Sequence, residues 1–227
     1  MTQPQRLYLY EEIMLLALRN HKGTLATSYS EYAVAGAVLA ELLLDRRVTV
    51  DGTSKALVDV RDTTPTGDPI IDECLEKMTA GRKRASLKSW LSRLAGIKKL
   101  RHKVARQLCN RGVLRADEDT VLLLFTRKVY PEINPAPENK IVERLRTAIF
   151  TDTDQVDPRT LVLISLANGV DLLSEMFGRK EVRTRKKRIE KIVNGEMTGK
   201  ATKEVIAACE SAAMVATMAA MLAATCN

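Results

Sequence analysis

With 227 residues, 45% of them hydrophobic, the chain is long and apolar enough to bury a sizeable core, which we read as one domain over residues 1–227 with a short flexible N-terminus at 1–6. The formal net charge of +8 points to a polyanionic partner: nucleic acid, anionic lipid headgroups or an acidic protein. Aromatic residues make up only 4%, which leaves stacking platforms for single-stranded nucleic acid poorly supplied, and the scattered Cys74, Cys109, Cys209 and Cys226 form no CxxC or Cys/His cluster, which argues against a disulfide framework or zinc site.

The opening MTQPQRLYLYEE carries no basic-then-apolar signal segment, so the protein is expected to stay in the compartment where it is made. Leu9, Ile13, Leu16 and Ala17 recur at helical spacing and predict a helix over Leu7–Asn20, with Glu11 and Glu12 near the positive end of its dipole. A short extended piece at Thr24–Tyr29 follows, then a second helix over Glu31–Leu44, whose small residues Ala33, Ala35, Gly36, Ala37 and Ala40 suggest close helix contact. Val48–Asp51 and Ala56–Val60 read as a hairpin around Asp51-Gly52. Asp68-Pro69 then predicts a capped helix over Ile70–Met78. The preceding TTPTG lacks the glycine spacing and Lys-Ser/Thr pair of a phosphate loop, which excludes nucleotide binding there. A further helix over Leu87–Ala95 holds the lone Trp90 among leucines, as a core residue.

The stretch 97–131, IKKLRHKVARQLCNRGVLRADEDTVLLLFTRKVYP, combines the densest positive charge with the most apolar short run. Ile97, Leu100, Val104 and Leu108 make one helical stripe flanked by Lys98, Arg101 and His102 on one side and Lys99, Lys103 and Arg106 on the other, and Gly112 ends the helix. Taken alone, that pattern fits either a bundle helix with solvated lysines or a helix lying against a membrane surface. Two β-prone runs, Val113–Arg115 and Thr120–Tyr130, are expected on either side of an acidic turn at Ala116–Asp119. Leu122, Leu123, Leu124 and Phe125 break the alternation of a half-solvated strand, so one face is expected to be buried, inserted in lipid or paired with a second copy. Beyond it, Asn134-Pro135-Ala136-Pro137 precedes a helix at Glu138–Phe150. Asp157-Pro158 opens another helix, with an interruption at Asn168-Gly169. A basic helix is expected over Arg179–Val193, and a final one over Thr202–Thr225. Ser211–Asn227 is uncharged but short and rich in Ala and Met, a composition that suits a buried helix better than a membrane span.

No GxSxG elbow, HExxH pair, Walker loop or dinucleotide fingerprint occurs, and His21 and His102 lack a nucleophile or metal partner in sequence. We therefore expect no enzyme, no catalytic or metal-ligating residue and no cofactor. A nucleic-acid-binding protein using Arg179–Lys191 with the central basic helix is the alternative reading.

Several blocks in order resemble the Golgi phosphoprotein 3 family of phosphatidylinositol 4-phosphate-binding peripheral membrane proteins. They are LYLYEEIMLLAL, AVLAELLLDRRVTV, TPTGDPIIDECLEKM, SWLSRLAG, LRHKVARQLCNRGVL and DPRTLVLISLANGVDLLSEMF. The resemblance implies a mainly α, compact helical bundle surrounded by amphipathic helices, with short peripheral β-hairpins. It places the headgroup site on Lys98 and Arg101, the two basic residues spaced three apart on the family's central helix, which on one helix face could hold a single phosphate together. It also implies an adaptor role, retaining glycosyltransferases through their cytoplasmic tails, and a cytoplasmic protein peripherally associated with membrane, at the cytosolic face of the Golgi in a eukaryote. Eukaryotic members add an Arg on the second helix and a Trp before it, where this chain has Ala35 and only Ala26 or Tyr29. General anionic-lipid binding by a bacterial member, without the family's arginine-containing N-terminal tail, is accordingly the expectation. Arg144 or Arg146 is the candidate to complete the site.

Overall fold

The computed structural model describes residues 6–19, 23–25, 30–51, 55–81, 84–121, 125–199 and 202–207. The chain begins with α1 (Leu9–Ala17), β1 (Leu18–Arg19), β2 (Thr24–Leu25) and α2 (Ser30–Leu44). Next come β3 (Val48–Val50), β4 (Leu57–Val60), α3 (Pro69–Thr79), β5 (Ala85–Ser86), α4 (Leu87–Ala95) and α5 (Leu100–Asn110). A hairpin of β6 (Asp117–Val121) and β7 (Phe125–Val129) leads into α6 (Ala136–Phe150), α7 (Pro158–Gly169), α8 (Leu172–Phe177), α9 (Arg179–Thr184) and α10 (Lys186–Val193). Residues 202–207 are again helical. The architecture is mainly α with small antiparallel sheets, as the sequence implied: β1-β2, β3-β4-β5 and β6-β7.

The buried apolar side chains form one connected cluster centred on α1, α2 and α7. Every residue of α1 is buried, as are residues 159–167 of α7, which is how a helix apolar on all sides must sit. Ala33, Ala35, Ala37 and Ala40 of α2 are nearly inaccessible, so their small size lets α1 approach closely. Local signals act where expected. Asp68 accepts hydrogen bonds from the Ile70 and Ile71 amides ahead of Pro69, and Trp90 is buried with Arg93 stacked on its ring.

Charged residues also enter this core. Glu41 of α2 accepts from the Leu9 amide at 2.7 Å and is gripped by both terminal nitrogens of Arg159, which also donates to the Leu7 carbonyl at 3.1 Å. Burial works against the charge on Arg159, but the hydrogen bonds and charge of Glu41 outweigh it and raise its pKa. Glu11 and Glu12, expected simply to complement the α1 dipole, are almost inaccessible and paired with Arg111 and Arg144, both at 2.9 Å; desolvation raises the pKa of both carboxyls.

Several boundaries differ from expectation. The first helix stops at Ala17 because Leu18 turns extended and pairs with Leu25. The helix predicted from Ile97 begins at Leu100. The expected acidic turn Ala116–Asp119 contributes Asp117, Glu118 and Asp119 to β6, and the register Asp117↔Val129 to Val121↔Phe125 replaces a single strand over Thr120–Tyr130 by a hairpin. Its physical basis is that an exposed strand end accepts acidic residues, as exposed Asp117 and Glu118 show. Gly23, at φ +58°, accepts a hydrogen bond from the Tyr130 amide at 3.0 Å, and a Cβ there would lie 2.3 Å from the backbone of Tyr130 and Pro131. The basic run Arg179–Val193 breaks into two helices at Arg185. There Arg185 and Arg188 donate to the Phe150, Ala148 and Thr153 carbonyls at the end of α6, so part of that basic face serves the fold.

Candidate functional site

Helix α5 is bounded by two left-handed residues. At its C-terminal end Gly112, at φ +70°, lets its own amide bond Cys109 and the Val113 amide bond Leu108, which closes the last turn as predicted. At the N-terminal end Lys99 adopts φ 60° and ψ 31°, a conformation costing a non-glycine residue roughly 1–2 kcal/mol. The first turn of α5 contains no acidic residue and no side-chain cap, so its cations stand at the positive end of the helix dipole. Leu100, Val104 and Leu108 are buried, and Ile97 joins them from the turn.

Lys98 therefore precedes the helix rather than sharing a helical face with Arg101, a correction to the wheel. The two still meet, because both line a cleft of about 860 Å³ between the start of α5 and the root of the β6–β7 hairpin. Met14, Leu18 and Gly23 contribute apolar and backbone surface, His102 and Tyr130 a polar wall, and Lys99, Arg106 and Lys128 further positive charge. Lys98, Lys99, Arg106 and Lys128 take part in no salt bridge among the described residues. Glu118 opposes Lys128 across the hairpin without forming one. Arg101 is different: its guanidinium lies 3.2 Å from Glu31 of α2.

His102 sits amid this charge, with Nδ1 and the Tyr130 hydroxyl sharing a hydrogen bond of 2.9 Å. Its pKa is lowered, first by burial and then by Arg101, Lys128 and Lys99.

On the other side of α5, Lys103 and Arg111 are matched by carboxylates. Lys103 holds both Glu73 oxygens at 2.6 and 2.5 Å, Arg111 holds Glu11, and Gln107 donates to Asp68 at 2.7 Å. Asp68, Glu73, Lys103, Gln107 and Arg111 line a second cleft of about 1290 Å³ that includes Arg144, and Arg106 borders both clefts. Arg144 is engaged with Glu12, and Arg146 lies over the Phe150 and Phe177 rings; neither lines the cleft of Lys98 and Arg101. Sequence reasoning missed Lys128 and Glu31, which arrive from distant segments; the only local hint was the basic pair Arg127-Lys128 just before the buried Tyr130.

Leu122, Leu123 and Leu124 lie outside the described residues. Phe125 opens β7 opposite Val121. The strands pair chiefly with each other rather than with a helix, and the hairpin is anchored through buried Val129 and Tyr130. Among the described residues no helix is long and apolar enough to cross a membrane; the run Ser211–Asn227 lies outside them.

The sequence model of the Golgi phosphoprotein 3 (GPP34) family matches residues 9–209. The chain belongs to that family. It is also 26% identical over 210 residues to vacuolar protein sorting-associated protein 74 of Eremothecium gossypii, an alignment that covers 78% of this chain. The chain spans 63% of the length of that relative. The family match takes in α1 through 202–207, and so includes both walls of the basic cleft.

Proposed function

We propose that this GPP34-family protein is a non-enzymatic peripheral membrane protein that binds anionic phospholipid headgroups, of the phosphatidylinositol 4-phosphate kind, in the cleft of Lys98 and Arg101. The observation that carries the reading is the set of four cations, Lys98, Lys99, Arg106 and Lys128, gathered around one open cleft without carboxylate partners among the described residues. By contrast Lys103, on the far side of α5, and Arg111 at its C-terminal cap are neutralised by Glu73 and Glu11. A phosphate would supply the missing charge and accept from several donors at once. The hairpin beside the cleft would carry Leu122, Leu123, Leu124 and Phe125 to the bilayer or to a second copy of the chain. The adaptor role, retention of glycosyltransferases through short cytoplasmic tails, belongs to the same reading, as does residence on the cytosolic face of a membrane.

The test is flotation with phosphatidylcholine vesicles containing an anionic lipid, beside a duplex-DNA shift at the same physiological salt. The Lys98→Ala/Arg101→Ala variant should bind such vesicles about 30-fold more weakly, since each basic residue near an anionic surface contributes about 1 kcal/mol. An unchanged partition coefficient in the folded double variant would remove the site, and DNA binding tighter than vesicle binding would favour the nucleic-acid reading.

A further inference from the structure

We propose that Glu31 sets the affinity of the basic cleft: it occupies Arg101 in the unliganded protein, and an anionic headgroup binds by exchanging with this internal carboxylate. The inference rests on reading the cleft as a headgroup site. Among the cleft's lysines and arginines, Arg101 stands apart from Lys98, Lys99, Arg106 and Lys128 in having a carboxylate at 3.2 Å. Lys103, at the edge between the two clefts, is already held by Glu73. The Arg101–Glu31 pair is made for exchange. Its side chains are 38% and 36% exposed, and an ion pair that wet contributes little to the fold. A phosphate oxygen pair can take the guanidinium in two parallel hydrogen bonds and is the stronger acceptor.

Glu31 acts on the ligand in a second way. Its charge lowers the positive potential of the cleft, and a ligand feels that reduction in proportion to its own charge. A phosphomonoester headgroup, carrying nearly two charges, gains more from loss of Glu31 than a phosphodiester carrying one. Glu31 therefore holds down binding to every anionic surface, and most of all to phosphomonoester lipids.

The experiment compares the full chain with Glu31→Gln, Arg101→Ala and the double variant. Each is titrated with phosphatidylcholine vesicles doped with phosphatidylserine or with phosphatidylinositol 4-phosphate. Glu31→Gln should raise affinity about threefold on phosphatidylserine and about tenfold on phosphatidylinositol 4-phosphate. In the Arg101→Ala background the gain should shrink to the field contribution alone, under about twofold, because Arg101 is no longer there to be released. An equal gain with and without Arg101 would mean a general field effect and overturn the exchange; so would no gain at all. Glu31→Ala repeats the measurement should the glutamine variant fail to fold. If the unmodified chain prefers neither anionic vesicle over pure phosphatidylcholine, the headgroup reading fails and this inference with it. If Lys98→Ala/Arg101→Ala loses binding while Glu31→Gln gains nothing, this inference alone fails.

Discussion

Helix α2 carries two glutamates that each hold an arginine, and the two pairs have opposite characters. Glu41 and Arg159 are 4% and 8% exposed, share two contacts, and are joined by the Leu9 amide and Leu7 carbonyl, so the charges are boxed in by the core. Glu31 and Arg101 meet at 3.2 Å in a solvated cleft. The same chemistry is structural in one place and replaceable in the other, and hydration decides which. Once two charges have been stripped of water, losing one partner leaves the other stranded; a wet pair loses almost nothing.

The sharpest way to break this comparison is to truncate both arginines. Arg159→Ala should cost about 3–5 kcal/mol of folding free energy, whereas Arg101→Ala should cost under about 1 kcal/mol, both read from urea unfolding. Similar losses would erase the distinction. A smaller effect is expected at the hairpin. Replacing Leu122 and Leu124 with Ser should lower vesicle affinity about tenfold while leaving the melting temperature nearly intact, if that face is offered to lipid; a Leu123→Ser variant on the opposite face should show the reverse. Equal loss of stability in both would assign the hairpin tip to the core, on Glu41's side of the comparison.

The smallest effect concerns His102. Because its folded pKa lies below the ordinary value, the folded state binds fewer protons than the unfolded chain, and this group withdraws stability as pH falls through the ordinary imidazole range. An anion in the cleft offsets the repulsion from Arg101, Lys128 and Lys99, so binding takes up a proton and strengthens over the same interval. Between about pH 7.5 and 5.5 the unmodified chain should gain roughly threefold in vesicle affinity relative to His102→Gln. Parallel pH profiles would show that His102 is silent.

What was legible in the sequence was local. Asp68-Pro69 starts a helix because side chain and ring act on the next turn, Leu87–Ala95 shows its own apolar stripe, and Gly112 ends α5 through its own φ. The start of α5 was misplaced because a lysine in the left-handed region has no compositional signature. Burial of Glu11, Glu12 and Glu41 was invisible because the partners Arg111, Arg144 and Arg159 lie far along the chain. The candidate site divides the same way. The basic density around Lys98 and Arg101 could be seen in one dimension, while Lys128, Tyr130 and Glu31 enter the cleft only when β7 and α2 fold against it.

Gly23 gives the hairpin a fulcrum. Its missing side chain lets the backbone at Tyr130 and Pro131 rest directly on it, and the Tyr130 amide is tied to its carbonyl. Gly23 and Tyr130 also line the cleft, so the contact that seats the hairpin is part of the cleft's wall. A methyl group at this position would tilt the hairpin like a wedge under a lever. The fit between the hairpin's root and the body leaves room at Gly23 for no more than a hydrogen atom.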